Sequence, residues 1–271
     1  MTFDFQPSRA LPIFDTHAHY NDDRFATECD GGRDEVLAAL FSQNVRFVVN
    51  AGTSITGSRE CIAIAEKYPR AYATAGIHPG DILVDSDIEK TMDELRELLA
   101  HPKVRALGEI GLDYHYDEPP REVQKQWFRR QLELAREMKM PVVIHDRDAH
   151  GDVMDILRDF PEVTGEFHSF SASAEIARQL TNRGWYISFS GVITFKNAAR
   201  LAEIVPTIPL DRVMIETDAP YLAPTPYRGK MNHSGLMEYT AVRAAELYGI
   251  TPEEFCRHAY ENSCRFFGID G

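Results

Sequence analysis

The sequence predicts an α/β chain folded as a single (β/α)8 TIM barrel over residues 1–271. Eight short β-rich runs alternate with longer amphipathic ones. From His17, in the first run, to Asp218, just past the eighth, the repeat averages about 29 residues, close to the ~30 of a βαβ unit. Several of the runs are apolar almost throughout, as strands covered on both faces are. A length of 271 residues suits one barrel of ~250. A doubly wound open sheet is the alternative. It would want a glycine-rich phosphate loop after the first strand, and His17-Ala18-His19 stands there instead.

The strand candidates are, in order, 13–17, 45–49, 71–75, 104–109, 141–145, 163–168, 185–190 and 213–216. Helical pattern fills the gaps. Residues 34–41 place Val36, Leu37, Leu40 and Phe41 on one side. Residues 87–99 repeat Ile88, Met92, Leu95, Leu98 and Leu99, and 122–138 space Val123, Trp127, Phe128, Leu132, Ala135 and Met138 at helical intervals. Thr251-Pro252-Glu253-Glu254 is a capping box with proline at the first helical position, so a C-terminal helix opens there.

Composition narrows the function classes. Against 42 acidic residues stand 29 lysines and arginines, a net charge of -13. Broad duplex binding through counterion release is therefore disfavoured. Local cations in a site would still admit a phosphate or a nucleotide end. No apolar stretch approaches the ~18 residues of a membrane span. The start of the chain lacks the basic and apolar segments of a secretory signal. Four cysteines without a CxxC pair suggest reduced thiols and a cytoplasmic setting. Oligomeric state has no sequence signature here.

Residues with chemical potential gather at the C-terminal ends of the predicted strands. His17 and His19, at i and i+2, point to one face and can reach one metal. His78 sits between strand three and a proline, placed to bind an anion, shuttle a proton or simply occupy a surface turn. Glu109 lies inside the apolar run Ala106–Ile110, where a carboxylate must be paired or metal-bound, and the run itself holds no lysine or arginine. Asp113 reads as a helix or turn cap. Strands five and six each deliver a histidine, His145 and His168, and strand eight delivers Glu216 and Asp218. Singly, each is more often structural. Jointly His17, His19, Glu109, His145, His168 and Asp218 occupy the same end of five strands, where barrel enzymes carry their active sites. Imidazoles and carboxylates suit Mg, Mn, Co or Zn, and six ligands exceed the needs of one tetrahedral ion, so two divalent ions are expected. A glutamate can bridge such a pair, which would activate a water whose proton Asp218 could accept.

The segments FDTHAH (14–19), AGIHPG (75–80), ALGEIGLDY (106–114), VIHDRDA (143–149), FHSFSAS (167–173), ETDAPYLAP (216–224) and, in part, RGKMN (228–232) resemble the TatD family of metal-dependent deoxyribonucleases, within the amidohydrolase superfamily. The resemblance implies a barrel with a two-metal centre that hydrolyses phosphodiesters in DNA, often from a 3′ end. It implies that His17, His19 and Asp218 bind the first ion, that Glu109 bridges, and that His145 and His168 hold the second. His78 would lie near the scissile phosphate. Arg147, Arg228 and Lys230 would face substrate phosphates, and Tyr114 would stack on a base or form the rim. Two departures concern substrate contact. Asn232 is followed by His233-Ser234 instead of Glu-Pro, and Ser169 and Ala172 stand where the family often has Cys and Gly.

Two other readings remain open. The same metal pair could attack a C–N or ester bond of a small molecule or tRNA-linked substrate, although strand four offers Glu109 and not a lysine to carbamylate. A metal-binding scaffold without activity is the non-enzymatic alternative.

Overall fold

The computed structural model describes residues 6–29, 31–116 and 118–271. Residues 1–5, which the predicted domain includes, lie outside them. Eight parallel strands pair in the order of the chain, each with the next. They are β1 (Ile13–Ala18), β2 (Val45–Asn50), β3 (Ala71–Ala75), β4 (Val104–Asp113), β5 (Val142–Arg147), β6 (Gly165–Phe167), β7 (Tyr186–Phe189) and β8 (Val213–Ile215). The eighth returns to the first. Ala18 bridges Ala219, Asp218 N donates to His17 O at 2.8 Å and His19 N to Ala219 O at 2.7 Å. The result is a nearly closed (β/α)8 barrel.

Among the described residues the helices are α1 (Arg24–Thr27), α2 (Gly32–Ser42), α3 (Ile55–Lys67), α4 (Ile88–Leu99), α5 (Arg121–Met138), α6 (His150–Arg158), α7 (Ala174–Asn182), α8 (Ala199–Ile204), α9 (Met237–Tyr248) and α10 (Pro252–Phe267). Local chemistry sets their ends. Asp87 caps α4 by accepting from Glu89 N and Lys90 N, and Thr251 caps α10 by accepting from Glu254 N, as the capping box predicts. The predicted apolar faces are the buried ones: Val36, Leu37 and Leu40 of α2, Met92, Leu95 and Leu99 of α4, and Trp127, Phe128 and Leu132 of α5. The main core lies between the strands and this helical shell. A second, smaller cluster joins Phe14, Val49, Ala106 and Val143 of four strands to Phe267 and Ile269 of the C-terminal segment.

Two ladder irregularities bear on the strand ends. The β1–β2 register shifts between Asp15 and Ala18, and the β4–β5 register shifts between Leu107 and Ile110. Such shifts re-aim side chains, and these two fall at His17 and at Glu109. Strand β4 also runs four residues past its predicted end, so Asp113 is a strand residue that caps no helix, while it does cap the turn that follows, its Oδ1 accepting from His115 N at 2.9 Å. The extension is possible because Gly111, at φ +147, packs against β5. A Cβ there would collide with the carbonyl oxygen of His145.

Candidate metal centre

The strand ends bring seven side chains from far-apart stretches of sequence to one rim. Glu109 is at their centre and is 3 % exposed. Its Oε2 faces His17 Nε2 at 3.2 Å and His19 Nε2 at 3.8 Å. Its Oε1 faces His145 Nδ1 at 2.7 Å, His168 Nε2 at 3.2 Å and His78 Nε2 at 3.7 Å. Asp218 Oδ1 closes the first side, 3.2 Å from His19 Nε2 and 3.9 Å from His17 Nε2. Asp218 sits at φ 59, a left-handed conformation uncommon for a non-glycine residue.

Neighbouring groups hold the rings. His19 Nδ1 bonds Ala51 O at 3.2 Å. His168 Nδ1 bonds Glu216 Oε1 at 2.9 Å, and the same oxygen accepts from Ser169 N at 2.8 Å. His145 Nε2 bonds Asp113 Oδ2 at 3.2 Å, while Asp113 Oδ1 accepts from His115 N. His78 Nδ1 accepts from Gly80 N at 3.0 Å. Asp113 and Glu216 therefore enter the site as partners of histidines, a role the sequence does not assign them. For Glu216 a signal existed: an acidic residue buried in an apolar strand end, two positions before Asp218.

Electrostatics follow from this packing. Burial alone would raise the pKa of Glu109, but the imidazoles of His168, His17 and His78 and the hydrogen bond with His145 outweigh it, holding it well below the ordinary carboxylate range. Burial, reinforced by His145, depresses His78 to about 3, so its ring is neutral near pH 7. Beneath the centre, burial and then the nearby Glu216 carboxylate raise Glu166 well above its usual value. Thr16 Oγ1 donates to Glu166 at 2.9 Å.

The chemistry of the donors suits divalent ions. Four groups of three residues have ligand atoms within 4.8 Å of one another: His17, His19 and Glu109; His17, His168 and Asp218; Glu109, His145 and His168; and His78, Asp113 and His145. All six side chains that the sequence nominates as ligands belong to these groups. A cavity of about 330 Å³ opens over them, lined also by Asp22, Asp81 and Tyr221 and, among the described residues, by no lysine or arginine. A second cavity of about 290 Å³ shares His145, His168 and Asp218 and adds Arg147.

Arg147 thus borders the centre, its guanidinium 5.3 Å from the Tyr116 ring. The other residues expected to touch substrate lie apart from the two cavities. Arg228 is exposed and stacks over Phe195 at 4.0 Å, and Lys230 is exposed. Tyr114 donates its hydroxyl to Asp152 at 2.6 Å, with Arg121 4.2 Å from its ring.

This combination of barrel and histidine–carboxylate rim agrees with the similarities of the chain to known proteins. The sequence model described as "TatD related DNase" matches residues 14–268, and the chain belongs to that family. It is 40% identical over 260 residues to YabD of Bacillus subtilis strain 168, named an uncharacterized metal-dependent hydrolase, covering 95% of this chain and 100% of that one. It is 36% identical over 239 residues to YcfH of Escherichia coli K12, which carries the same description, covering 88% and 89%. Among solved structures, the TatD homologue YjjV of Escherichia coli K12 superposes with a TM-score of 0.87 at 26% identity, covering 97% of this chain and 100% of that one.

Proposed function

We propose that this chain is a metal-dependent hydrolase that cleaves phosphodiester bonds in DNA, working from a 3′ end. The observation that carries the reading is the division of Glu109, with one carboxylate oxygen facing His17 and His19 and the other facing His145 and His168. A carboxylate so divided is built to join two cations. The family description and the names of the relatives point the same way.

Divalent ions, of the Mg, Mn or Zn class, would supply an activated water and neutralise charge on the phosphoryl oxygens. In this reading His17, His19 and Asp218 hold one ion, His145 and His168 the other, and Glu109 both. The remaining steps belong to the side chains. Asp218, whose Oδ1 faces His17 and His19, would take the proton of the attacking water on its other oxygen, Oδ2. His78 presents Nε2–H to a phosphoryl or leaving oxygen, because Gly80 N–H already occupies Nδ1. The acidic cavity has no side-chain cation of its own, so an anionic substrate enters where the ions are, with Arg147 at the border. Arg228, Lys230 and Tyr114 are left for more distant parts of a strand. Cys61, Cys256 and Cys264 are unbridged thiols, which fits a cytoplasmic setting, and no described helix is long and apolar enough to cross a membrane.

The test is a panel of 3′- and 5′-labelled single- and double-stranded oligonucleotides under several metals, with lactone and amide controls. Nucleotide release from the 3′ end, abolished by chelator and restored by Mg, Mn or Zn, is expected. Turnover of the lactone or amide without DNA cleavage, or chelator-insensitive cleavage, overturns the reading. Glu109→Ala is expected to lose at least about 1,000-fold in kcat/KM, the equivalent of ~4 kcal/mol of transition-state stabilisation.

A further inference from the structure

Resting on the two-ion reading, we propose that Asp113 and Glu216 are positioning residues that build the His145–His168 ion seat and leave the His17–His19–Asp218 seat to be held by other means. A neutral imidazole gives one nitrogen to a metal and keeps a proton on the other. A carboxylate on that second nitrogen fixes the tautomer, orients the ring and makes the ligand more basic.

Both rings of this seat have that arrangement, in opposite senses. His168 turns Nε2 to Glu109 Oε1 at 3.2 Å and Nδ1 to Glu216 Oε1 at 2.9 Å. His145 turns Nδ1 to the same Glu109 oxygen at 2.7 Å and Nε2 to Asp113 Oδ2 at 3.2 Å. The two carboxylates are themselves pinned. Glu216 is fully buried and also accepts from Ser169 N at 2.8 Å. Asp113 accepts from His115 N at 2.9 Å, and its own backbone N donates to Gln124 Oε1 at 2.8 Å.

The other seat is made differently. His19 Nδ1 meets the neutral carbonyl of Ala51 at 3.2 Å, and His17 Nδ1 has no hydrogen-bond partner among the described residues. Its negative charge comes from Asp218 at the seat itself. In the His145–His168 seat the charge beyond Glu109 stands behind the imidazoles. Loss of Asp113 or Glu216 therefore weakens one seat and spares the other.

The experiment titrates zinc into the metal-free full-length chain by calorimetry and reads histidine side-chain tautomers by 15N NMR in the same sample. Wild type is expected to bind two ions, with His168 in the zinc-loaded chain protonated at Nδ1 and unprotonated at Nε2. Glu216→Ala and Asp113→Ala are expected to bind the first ion unchanged and the second about 10–100-fold more weakly. Glu216→Gln keeps the accepting oxygen, so it is expected to preserve the His168 tautomer and most of the affinity. It and Asp113→Ala carry the test if the buried Glu216→Ala does not fold. Equal weakening of both ions, weakening of neither, a Glu216→Gln chain as impaired as Glu216→Ala, or His168 protonated at Nε2 in the zinc-loaded wild type overturns the proposal. A wild-type chain that binds fewer than two ions overturns the two-ion reading and the seat selectivity with it. A His168 15N spectrum that Glu216→Ala leaves unchanged then shows that Glu216 does not position the ring, and a changed one shows that it does.

Discussion

Gly80 donates its backbone N–H to His78 Nδ1, and burial keeps the ring neutral, so the nitrogen turned toward Glu109 is the one that bears the proton. His78→Ala is expected to lower kcat by about 10²–10⁴ while zinc binding is retained, the usual range for a lost proton-transfer group. Lost zinc binding would make His78 a ligand instead. A second histidine gives a pH prediction away from the centre. Burial lowers His233 from 6.5 to about 3 in the folded chain. The folded state thus binds fewer protons than the unfolded one, so this residue's contribution is present above pH ~6.5 and is lost as pH falls toward ~3. Between pH ~6.5 and ~5 the loss is about 1.6 kcal/mol. His233→Asn should remove that part of the acid slope in urea unfolding measured at the two ends of the interval, and an unchanged slope would refute the assignment. Residues such as Glu109 and His168, which the sequence nominates and the structure brings to one rim, were legible because a polar side chain at an apolar strand end has few structural excuses. Asp113 was not. Its partner His145 is 32 positions away, and only the β4–β5 pairing brings them together.

At the scale of elements, period and capping chemistry located all eight strands and the helices α2, α4, α5 and α10 to within a few residues, because their apolar faces repeat cleanly. The ladder shifts at His17 and Glu109 left no mark in the sequence, since register is set by the neighbouring strand and not by the strand itself. Gly111 carries a consequence of the same kind. Its left-handed-side backbone and its contact with the His145 carbonyl both exclude a side chain. Gly111→Ala is expected to cost more than ~1 kcal/mol in urea unfolding and to weaken zinc binding by displacing His145. An alanine variant with wild-type zinc affinity would show that β5 can shift without moving the seat. At the other end of the chain, Thr251→Ala removes the acceptor for Glu254 N and should cost about 1 kcal/mol without any effect on metal binding.

Across the whole molecule, the centre doubles as a clasp. His17, Glu109, His145, His168 and Asp218 come from β1, β4, β5, the residue after β6 and the residues after β8, so ions bound there tie distant segments of the folded chain together. Unfolded chain offers no such arrangement, and binding must raise stability by mass action, by about 2.7 kcal/mol at 100 times Kd. For a chain of this size that is a rise in Tm of roughly 5 °C. Zinc or manganese should produce it in wild type and not in Glu109→Ala, as followed by thermal denaturation at fixed ion concentration. The seam of the barrel adds a temporal side to this. Asp218 N bonds His17 O, so one half of the centre is shared between the first strand and the stretch that follows the last. A chain growing from its N-terminus on the ribosome carries six of the seven rim side chains long before it can use them. The rim is incomplete until the final arc has emerged and docked, and any fragment that stops short of that arc is a barrel with its lock half cut.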